Sequence, residues 1–361
     1  MKMLAAVLYE QGGQFVFEEV DLAEPKENEV LVKVVAVGVC HTDEGGRQWM
    51  IEPPVVLGHE GSGIVERVGA GVKNFQPGDH VVITVASCGT CNYCTKGMPF
   101  ACPHMGALNI GGKMQDGTSR ISKNGKEIKN FFGQSTFAQY AVVNATSLVK
   151  VDKTVDIAML GPLGCGFQTG AGTVLGCLKA GPEDSLVIFG CGSLGLTGVM
   201  AAKIAGCKHI IAVGGTPDKL KLALELGATH TINRKEVADV PAEVTRICGR
   251  GASLAFETTG APAMFTIALA SLGALGKVAL CGVGNKFTFD PMDLIIGSKT
   301  IVGSNEGNLS YHTFIPQMVE YYKQGKFPFD KLIKYYDFKD IEQAFQDSHK
   351  GLTVKPVLRL P

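Results

Sequence analysis

The stretch Ser185-Leu-Val-Ile-Phe-Gly190-Cys-Gly192-Ser193-Leu194-Gly195, with the apolar run to Ala205 and then His209-Ile-Ile-Ala-Val213, decides the architecture of this chain. A short apolar strand, a glycine turn, an apolar helix and a second strand within about 30 residues make a βαβ unit. The turn fits G-x-G-x-x-G. A lone match of that kind is weak, but here a strand precedes it and a helix follows. In that setting Gly190 makes the tight turn, Gly192 lets backbone approach a pyrophosphate and Gly195 permits close helix packing. With Ser193 and Leu194 completing the turn, the pattern reads as a dinucleotide site rather than a merely structural bend.

Downstream the alternation continues, with a helical pattern from Lys219 to Leu226, a strand at Leu254-Ala-Phe-Glu257, a helix near Ala263 to Leu272 and a strand at Lys277-Val-Ala-Leu-Cys281. An α/β fold with a doubly wound parallel sheet follows. The alternation stops near Gly303. Tyr311 to Gln324 reads as one amphipathic helix, and the polar, aromatic tail beyond it is expected to rejoin the first domain. Upstream, to about residue 85, short β-branched runs separated by turns read as mostly sheet. The 361 residues exceed what one core usually organises. The expected division is 1–166 as a catalytic domain, 167–305 as the dinucleotide domain and 306–361 as the returning segment.

Lysine plus arginine equals aspartate plus glutamate, 34 each, so no net field attracts nucleic acid or an anionic membrane surface. No segment reaches the roughly 20 apolar residues of a membrane span, and the N-terminal apolar run is too short for a signal peptide. The expectation is a soluble cytoplasmic protein acting on a small molecule. Of eleven cysteines, Cys177, Cys191, Cys207, Cys248 and Cys281 lie among apolar or glycine-rich residues and read as small core side chains. The other six form two metal-like groups.

Cys88, Cys91, Cys94 and Cys102 follow C-x2-C-x2-C-x7-C, with Gly89 and Gly97 giving the backbone freedom to wrap four thiolates around one ion. Four soft ligands with no open position describe a structural tetrahedral zinc. Disulfides conflict with a reducing compartment, an iron–sulfur cluster lacks any accompanying redox motif, and a nucleic-acid zinc knuckle conflicts with the neutral composition. The second group is dispersed: Cys40-His41-Thr42-Asp43 at the end of a strand, Gly58-His59-Glu60 before another, and Leu163-Gly-Cys165-Gly ahead of the nucleotide domain. Any one of these is as readily structural; their joint occurrence is what points to metal.

Cofactor choice rests on the end of the second strand. NAD-binding units place an acidic residue there to grip the ribose hydroxyls. This strand ends Ala212-Val213-Gly214-Gly215-Thr216. No carboxylate repels a 2′-phosphate, Gly214, Gly215 and Thr216 offer amide and hydroxyl donors, and Lys219 offers a counter-charge. NADP is favoured, with NAD as the alternative if glycine only loosens selectivity.

Gly58-His-Glu-Gly-Ser-Gly, Gln76-Pro-Gly-Asp-His-Val, Asp116-Gly-Thr-Ser-Arg with Ser135-Thr-Phe, and Leu163-Gly-Cys-Gly-Phe-Gln-Thr-Gly occur in one order. In them the sequence resembles the zinc-containing medium-chain alcohol dehydrogenases over essentially its whole length. The resemblance implies a GroES-like, mainly β catalytic domain beside a Rossmann cofactor domain, with two zinc ions per chain. It implies that Cys40, His59 and Cys165 bind the catalytic zinc, leaving a fourth position for water or the alcohol oxygen. Glu60 would lie behind the metal, Asp43 would orient the imidazole of His59, and Thr42 would hydrogen-bond the reacting oxygen on its way to hydride transfer. His41, Thr169 and Lys355 match positions that contact the cofactor in similar enzymes, and Val283 joins that set. Many relatives carry a histidine, at the position of Gly45, to pass the proton outward, so water or His41 is the expected substitute here.

By the same resemblance Trp49, Thr84, Phe131 and Phe132 line the substrate pocket. The wording around Cys165 is also similar to benzyl-alcohol and allylic-alcohol dehydrogenases, and the expected substrates are primary aromatic or allylic alcohols and their aldehydes. Glutathione-dependent formaldehyde oxidation fits less well, because Met105-Gly-Ala stands where a basic residue is expected. A zinc-free quinone or enone reductase has no use for the cysteines, and a non-catalytic zinc-stabilised binding protein is the remaining rival. The strand-like Lys277 to Val283 and Thr300-Ile-Val-Gly-Ser are expected to pair across a two-fold axis in a homodimer or homotetramer.

Overall fold

The computed structural model describes every residue except Val283 and Asn285, so the cofactor contact expected at Val283 lies outside the described residues. The chain folds into two compact units: Met1–Cys165 with Ser310–Glu320 and Asp330–Pro361, and Gly166–Leu309 with Tyr321–Phe329. The tail thus returns in two pieces. Tyr321–Phe329 stays with the second unit because Phe329 is fully buried there, its ring 5.7 Å from that of Phe167 and 4.8 Å from that of Tyr322.

The first unit is built on β-rich sequence and forms two sheets. One joins, in order, Leu148–Lys150, His80–Ile83, Glu60–Val68, Glu29–Gly38, Lys355–Arg359 and Ile333–Asp337, with Tyr140–Asn144 also paired to Glu29–Gly38. Five strands, Val55–Val56, Lys2–Leu8, Phe15–Leu22, Ile121–Lys123 and Lys126–Ile128, make the other. The segment rich in Gly, Asn and Cys after Cys88 has little regular structure: short turns at Cys94–Lys96 and Pro99–Ala101, then a helix at Met105–Ile110.

The second unit carries the alternation read from the sequence. Its elements are β1 (Ser185–Phe189), α1 (Ser193–Ala205), β2 (His209–Gly214), α2 (Pro217–Leu226), β3 (His230–Asn233), α3 (Val240–Cys248), β4 (Ala252–Glu257), α4 (Pro262–Ala270), β5 (Leu272–Leu280) and β6 (Thr300–Gly303). The sheet is parallel throughout, in the order β3-β2-β1-β4-β5-β6. Leu186, Val187, Ile188 and Phe189 are all fully buried, as a parallel strand covered on both faces requires. The order reverses between β1 and β4, and at such a switch point, outside the carboxyl ends of the strands, doubly wound sheets take their ligands. β5 begins at Leu272, earlier than its apolar run indicated, and the register shift between Ala252 and Leu254 of β4 accommodates that start.

Candidate metal centre and cofactor turn

Strand Glu29–Gly38 delivers Cys40 to the N-terminus of the short helix His41–Gly45. There the Cys40 amide donates to Asp43 Oδ2 at 3.0 Å and turns that carboxylate inward. Its other oxygen accepts from the Gly58 amide at 3.2 Å and lies 2.7 Å from His59 Nδ1. Gly58 takes φ 91°, and a Cβ on it would come 2.5 Å from the Phe137 amide nitrogen, so only glycine lets His59 sit at this corner. With Nδ1 engaged by Asp43, the buried Nε2 of His59 has no hydrogen-bond partner among the described residues.

That orphaned nitrogen belongs to a set of donors. Cys40, His59, Glu60 and Cys165 each place a ligand atom within 4.8 Å of the others. The hydrogen bond with Cys165, opposed by burial and aided by His59 and the charge of Lys355, holds the Cys40 thiol well below its ordinary range. Two sulfurs, an imidazole and a nearby carboxylate fit a zinc ion. Cys165 follows the turn Gly161–Gly164, where added Cβ atoms would meet Glu60 O at 2.2 Å and Ile83 O at 2.1 Å. The glycines therefore let this segment lie against the strands that carry the other ligands.

Glu60 has a second attachment. Lys355, from strand Lys355–Arg359, puts its ammonium 2.9 and 2.8 Å from the two Glu60 oxygens, with both side chains buried. Burial pushes the Glu60 carboxyl up to about 7 against the pull of Lys355. A Cβ on Gly38 would lie 2.1 Å from Glu60 Oε2, so the strand before Cys40 ends in glycine to make room. Lys355, expected from the resemblance near the cofactor, also donates to the Val39 carbonyl at 3.3 Å.

The four lobe cysteines, Cys88, Cys91, Cys94 and Cys102, also bring their sulfurs within 4.8 Å of one another. Backbone amides point at them: Cys91 N–H at Cys88 Sγ (3.3 Å), Cys94 N–H at Cys91 Sγ (3.5 Å) and Cys88 N–H at Cys102 Sγ (3.4 Å). Gly89 and Gly97 take φ 73° and 75°. Amide donors stabilise thiolates, and four of them match a closed structural zinc site.

In the nucleotide unit the three motif glycines separate by role. Gly190 has φ 104° and a Cβ there would strike Thr258 Oγ1 at 2.3 Å, while one on Gly195 would strike Gly190 O at 1.8 Å. Protein packing alone requires both. A Cβ on Gly192 would meet nothing within 4 Å, and α1 begins there with no side chain capping its amides. Open space before uncapped N–H groups of Ser193, Leu194 and Gly195 fits a pyrophosphate.

Gly214 pairs with Asn233 in the β2–β3 register, which sets the next residues side by side. A Cβ on Gly215 would lie 3.1 Å from Lys235 Cε and 3.4 Å from Arg234 Nε. These two exposed cations are about 20 residues from the glycines and escape a local reading; the basic pair directly after the short strand His230–Asn233 is the signal the sequence offers. Thr216 occupies the N-cap position of α2 without a side-chain capping bond, and Lys219 lies in the first turn.

The remaining expected residues are spread more widely. Thr42 is half-buried and His41 exposed, the latter ring 6.5 Å from that of His349. Gly45 lies at the end of the short helix His41–Gly45, and a Cβ on it would come 2.7 Å from Met50 Cε, the far end of a flexible side chain. Thr84 is buried and donates to Gly164 O at 2.7 Å. Phe132 lies over His59, ring centroids 4.6 Å apart, and the fully buried Phe131 meets the same imidazole edge-on at 5.8 Å, whereas Trp49 is 65% exposed. Thr169 is buried in the helix Gly166–Gly172.

Residues 26–153 match the alcohol dehydrogenase GroES-like domain and residues 193–323 the zinc-binding dehydrogenase domain. The chain is 40% identical to geraniol dehydrogenase of Castellaniella defragrans, covering 98% of this chain and 96% of that one. It is 37% identical to S-(hydroxymethyl)glutathione dehydrogenase of Synechocystis sp., covering 99% and 100%. Benzyl alcohol dehydrogenase of Acinetobacter calcoaceticus superposes with a TM-score of 0.96 at 43% identity, each chain covered fully. No described helix is long and apolar enough to cross a membrane. With a soft-donor metal set, a dinucleotide turn and matched models over both units, the chain belongs to the zinc-containing medium-chain alcohol dehydrogenases.

Proposed function

We propose that this alcohol dehydrogenase interconverts primary aromatic or allylic alcohols and their aldehydes, with NADP as cofactor. The observation that carries the cofactor reading is the pair Arg234 and Lys235 beside Gly215, at a strand end without a ribose-binding carboxylate. A guanidinium there is what a 2′-phosphate needs. The substrate reading rests on the Phe132 ring over His59 and on likeness to geraniol and benzyl alcohol dehydrogenases.

In this reading Cys40, His59 and Cys165 hold the catalytic zinc and the lobe cysteines a second. When bound, zinc supplies a Lewis acid that acidifies the alcohol. A bound nicotinamide supplies the hydride acceptor. The chain's own part is positional. Asp43 accepts a hydrogen bond from Nδ1–H of His59, which leaves the Nε2 lone pair as the metal ligand beside the cysteines. Thr42, two residues after Cys40, receives the alcohol proton and passes it outward through water or His41. Phe132 excludes water from one side, and α1 with Gly192 holds the pyrophosphate. Thiolate ligands need reduced cysteines, which a cytoplasmic setting supplies.

We also assign the outer edge of β6 to a second copy of the chain. It ends the sheet, and Leu275, Ile295 and Ile296 in and beside the neighbouring segments are 78%, 66% and 69% exposed. Sedimentation at micromolar concentration should give at least a dimer.

The central test is kcat/KM for benzyl, cinnamyl, geranyl and short aliphatic alcohols, and for S-(hydroxymethyl)glutathione, each with NADP and NAD. Higher values for the first three alcohols with NADP are expected. Equal efficiency with both cofactors, or preference for the glutathione adduct, would overturn the corresponding half.

A further inference from the structure

The order of the parallel sheet divides the nucleotide unit into two halves. β1, β2 and β3 carry the glycine turn and the basic pair, so the adenosine half of a dinucleotide belongs at their ends; the nicotinamide half then falls at the carboxyl ends of β4, β5 and β6. Directly after β6 the chain runs Ser304-Asn-Glu306-Gly-Asn308, and three successive residues, Glu306, Gly307 and Asn308, take φ of 51°, 75° and 56°. Left-handed backbone at a glutamate is unusual and must be imposed by its surroundings.

The surroundings are visible. Gly307 lies against the helix Gly166–Gly172 so closely that a Cβ on it would come 2.5 Å from Gly172 Cα and 2.9 Å from Gln168 O. This path turns the Glu306 side chain inward, where it is 9% exposed. Its Oε2 accepts from Gln168 Nε2 at 2.6 Å and from Thr169 Oγ1 at 3.4 Å. Burial first, and the charge of Glu306 second, push the thiol of Cys281, just past β5, up to about 12. A buried carboxylate therefore stands at the ends of the strands that the fold reserves for the nicotinamide, held by Gln168 and within reach of the Thr169 hydroxyl.

We infer that Glu306 is a positioning residue for the nicotinamide half of the cofactor, which fixes Thr169 and selectively stabilises the oxidised ring. The oxidised ring carries a positive charge and the reduced ring does not, so a fixed buried anion beside it attracts one form only. A role limited to holding the backbone would affect both forms alike. The inference rests on the reading of the chain as a nicotinamide-linked dehydrogenase and names the residue that sets its oxidised-to-reduced preference.

The experiment compares the zinc-loaded protein with Glu306→Gln, which keeps the shape and removes the charge. Dissociation constants for NADP+, NADPH, NAD+ and NADH are measured by calorimetry without alcohol or aldehyde. Expected is a loss of about five- to tenfold in affinity for the oxidised form and less than about twofold for the reduced form. Glu306→Asp, which keeps the charge, should retain the wild-type ratio. Glu306→Asn is neutral and suits left-handed backbone, so it carries the same test should the glutamine variant fold poorly. Equal weakening of both forms, or no change in either, overturns the inference while leaving the dehydrogenase reading intact. Failure of the unmodified protein to bind any of the four nucleotides overturns that reading itself.

Discussion

The ammonium of Lys355 lies 2.8 Å from Glu60 Oε2, and these two residues, 295 apart in sequence, form a buried ion pair immediately behind the candidate catalytic metal site. Removing one partner of such a pair leaves the other charge in a medium that cannot solvate it. Lys355→Met should lower stability to urea by about 3 kcal/mol, and Lys355→Arg by much less. The double variant Glu60→Gln with Lys355→Met should recover part of the loss. Additive losses in the double variant would mean that the two side chains do not act as a pair.

Loss of zinc should have different consequences at the two cysteine groups. Cys40→Ser removes a ligand from the open set, so one zinc per chain should be lost and turnover should fall by about a thousandfold or more, with nucleotide binding retained. Cys91→Ser disrupts a closed set that fastens a lobe with little regular structure. There the expected result is a lower melting temperature and protease cleavage between about residues 88 and 130. Elemental analysis with limited proteolysis checks both. Full activity in Cys40→Ser would remove it from the ligand set.

Much of this architecture was legible because its signals are local. The βαβ unit, the glycine turn and the cysteine spacing each lie within a few tens of residues, and periodicity is enough to read them. What stayed hidden depends on contacts between distant segments. Nothing in the sequence near Glu60 announces Lys355, and only the parallel register of β2 on β3 brings Arg234 beside Gly215. Glu306 is a plain glutamate in a polar stretch until the close approach of Gly307 to Gly172 turns it inward. Phe131 and Phe132 both reach His59, the first edge-on from the core and the second, at φ 54°, across its face, a difference that no local pattern in the sequence carries.

Acid should attack the first unit through Asp116. Burial raises this carboxyl, but hydrogen bonds from Lys26, Arg120 and Thr118 outweigh it and hold the group below its ordinary range. Arg120 is in turn bound through both of its nearer nitrogens by the buried Glu29, at 2.9 and 2.6 Å. A carboxylate lowered on folding contributes stability that is complete above its unfolded pKa of about 3.9 and is lost as pH falls toward the folded value. Asp116→Asn should therefore cost about 1 kcal/mol at pH 7, discounted for its partial exposure, and flatten the decline below pH ~4. Parallel acid limbs for the variant and the unmodified protein would show that Asp116 does not contribute.

Cofactor preference can be moved from either side of the β2–β3 junction, and the two sides predict different losses. Arg234 stands 3.4 Å from the position of a Cβ on Gly215, so Arg234→Ala should remove a charge-assisted contact to the 2′-phosphate. A bond of that type is worth about 1.5–3 kcal/mol, which corresponds to a fall of roughly 10- to 100-fold in kcat/KM for NADP with NAD almost unchanged. Gly214→Asp acts instead by repelling the phosphate and offering an acceptor to the ribose hydroxyls, so NADP should weaken while NAD improves. Its Cβ would sit 3.0 Å from Cys191 Sγ and 3.1 Å from Leu220 Cδ2, and both neighbours must yield by a few tenths of an ångström. Gly214→Ala shares that packing cost without the charge and is the control that separates the two effects. If Arg234→Ala lowers NADP and NAD efficiency equally, the guanidinium serves the fold or the adenine, and the 2′-phosphate assignment fails.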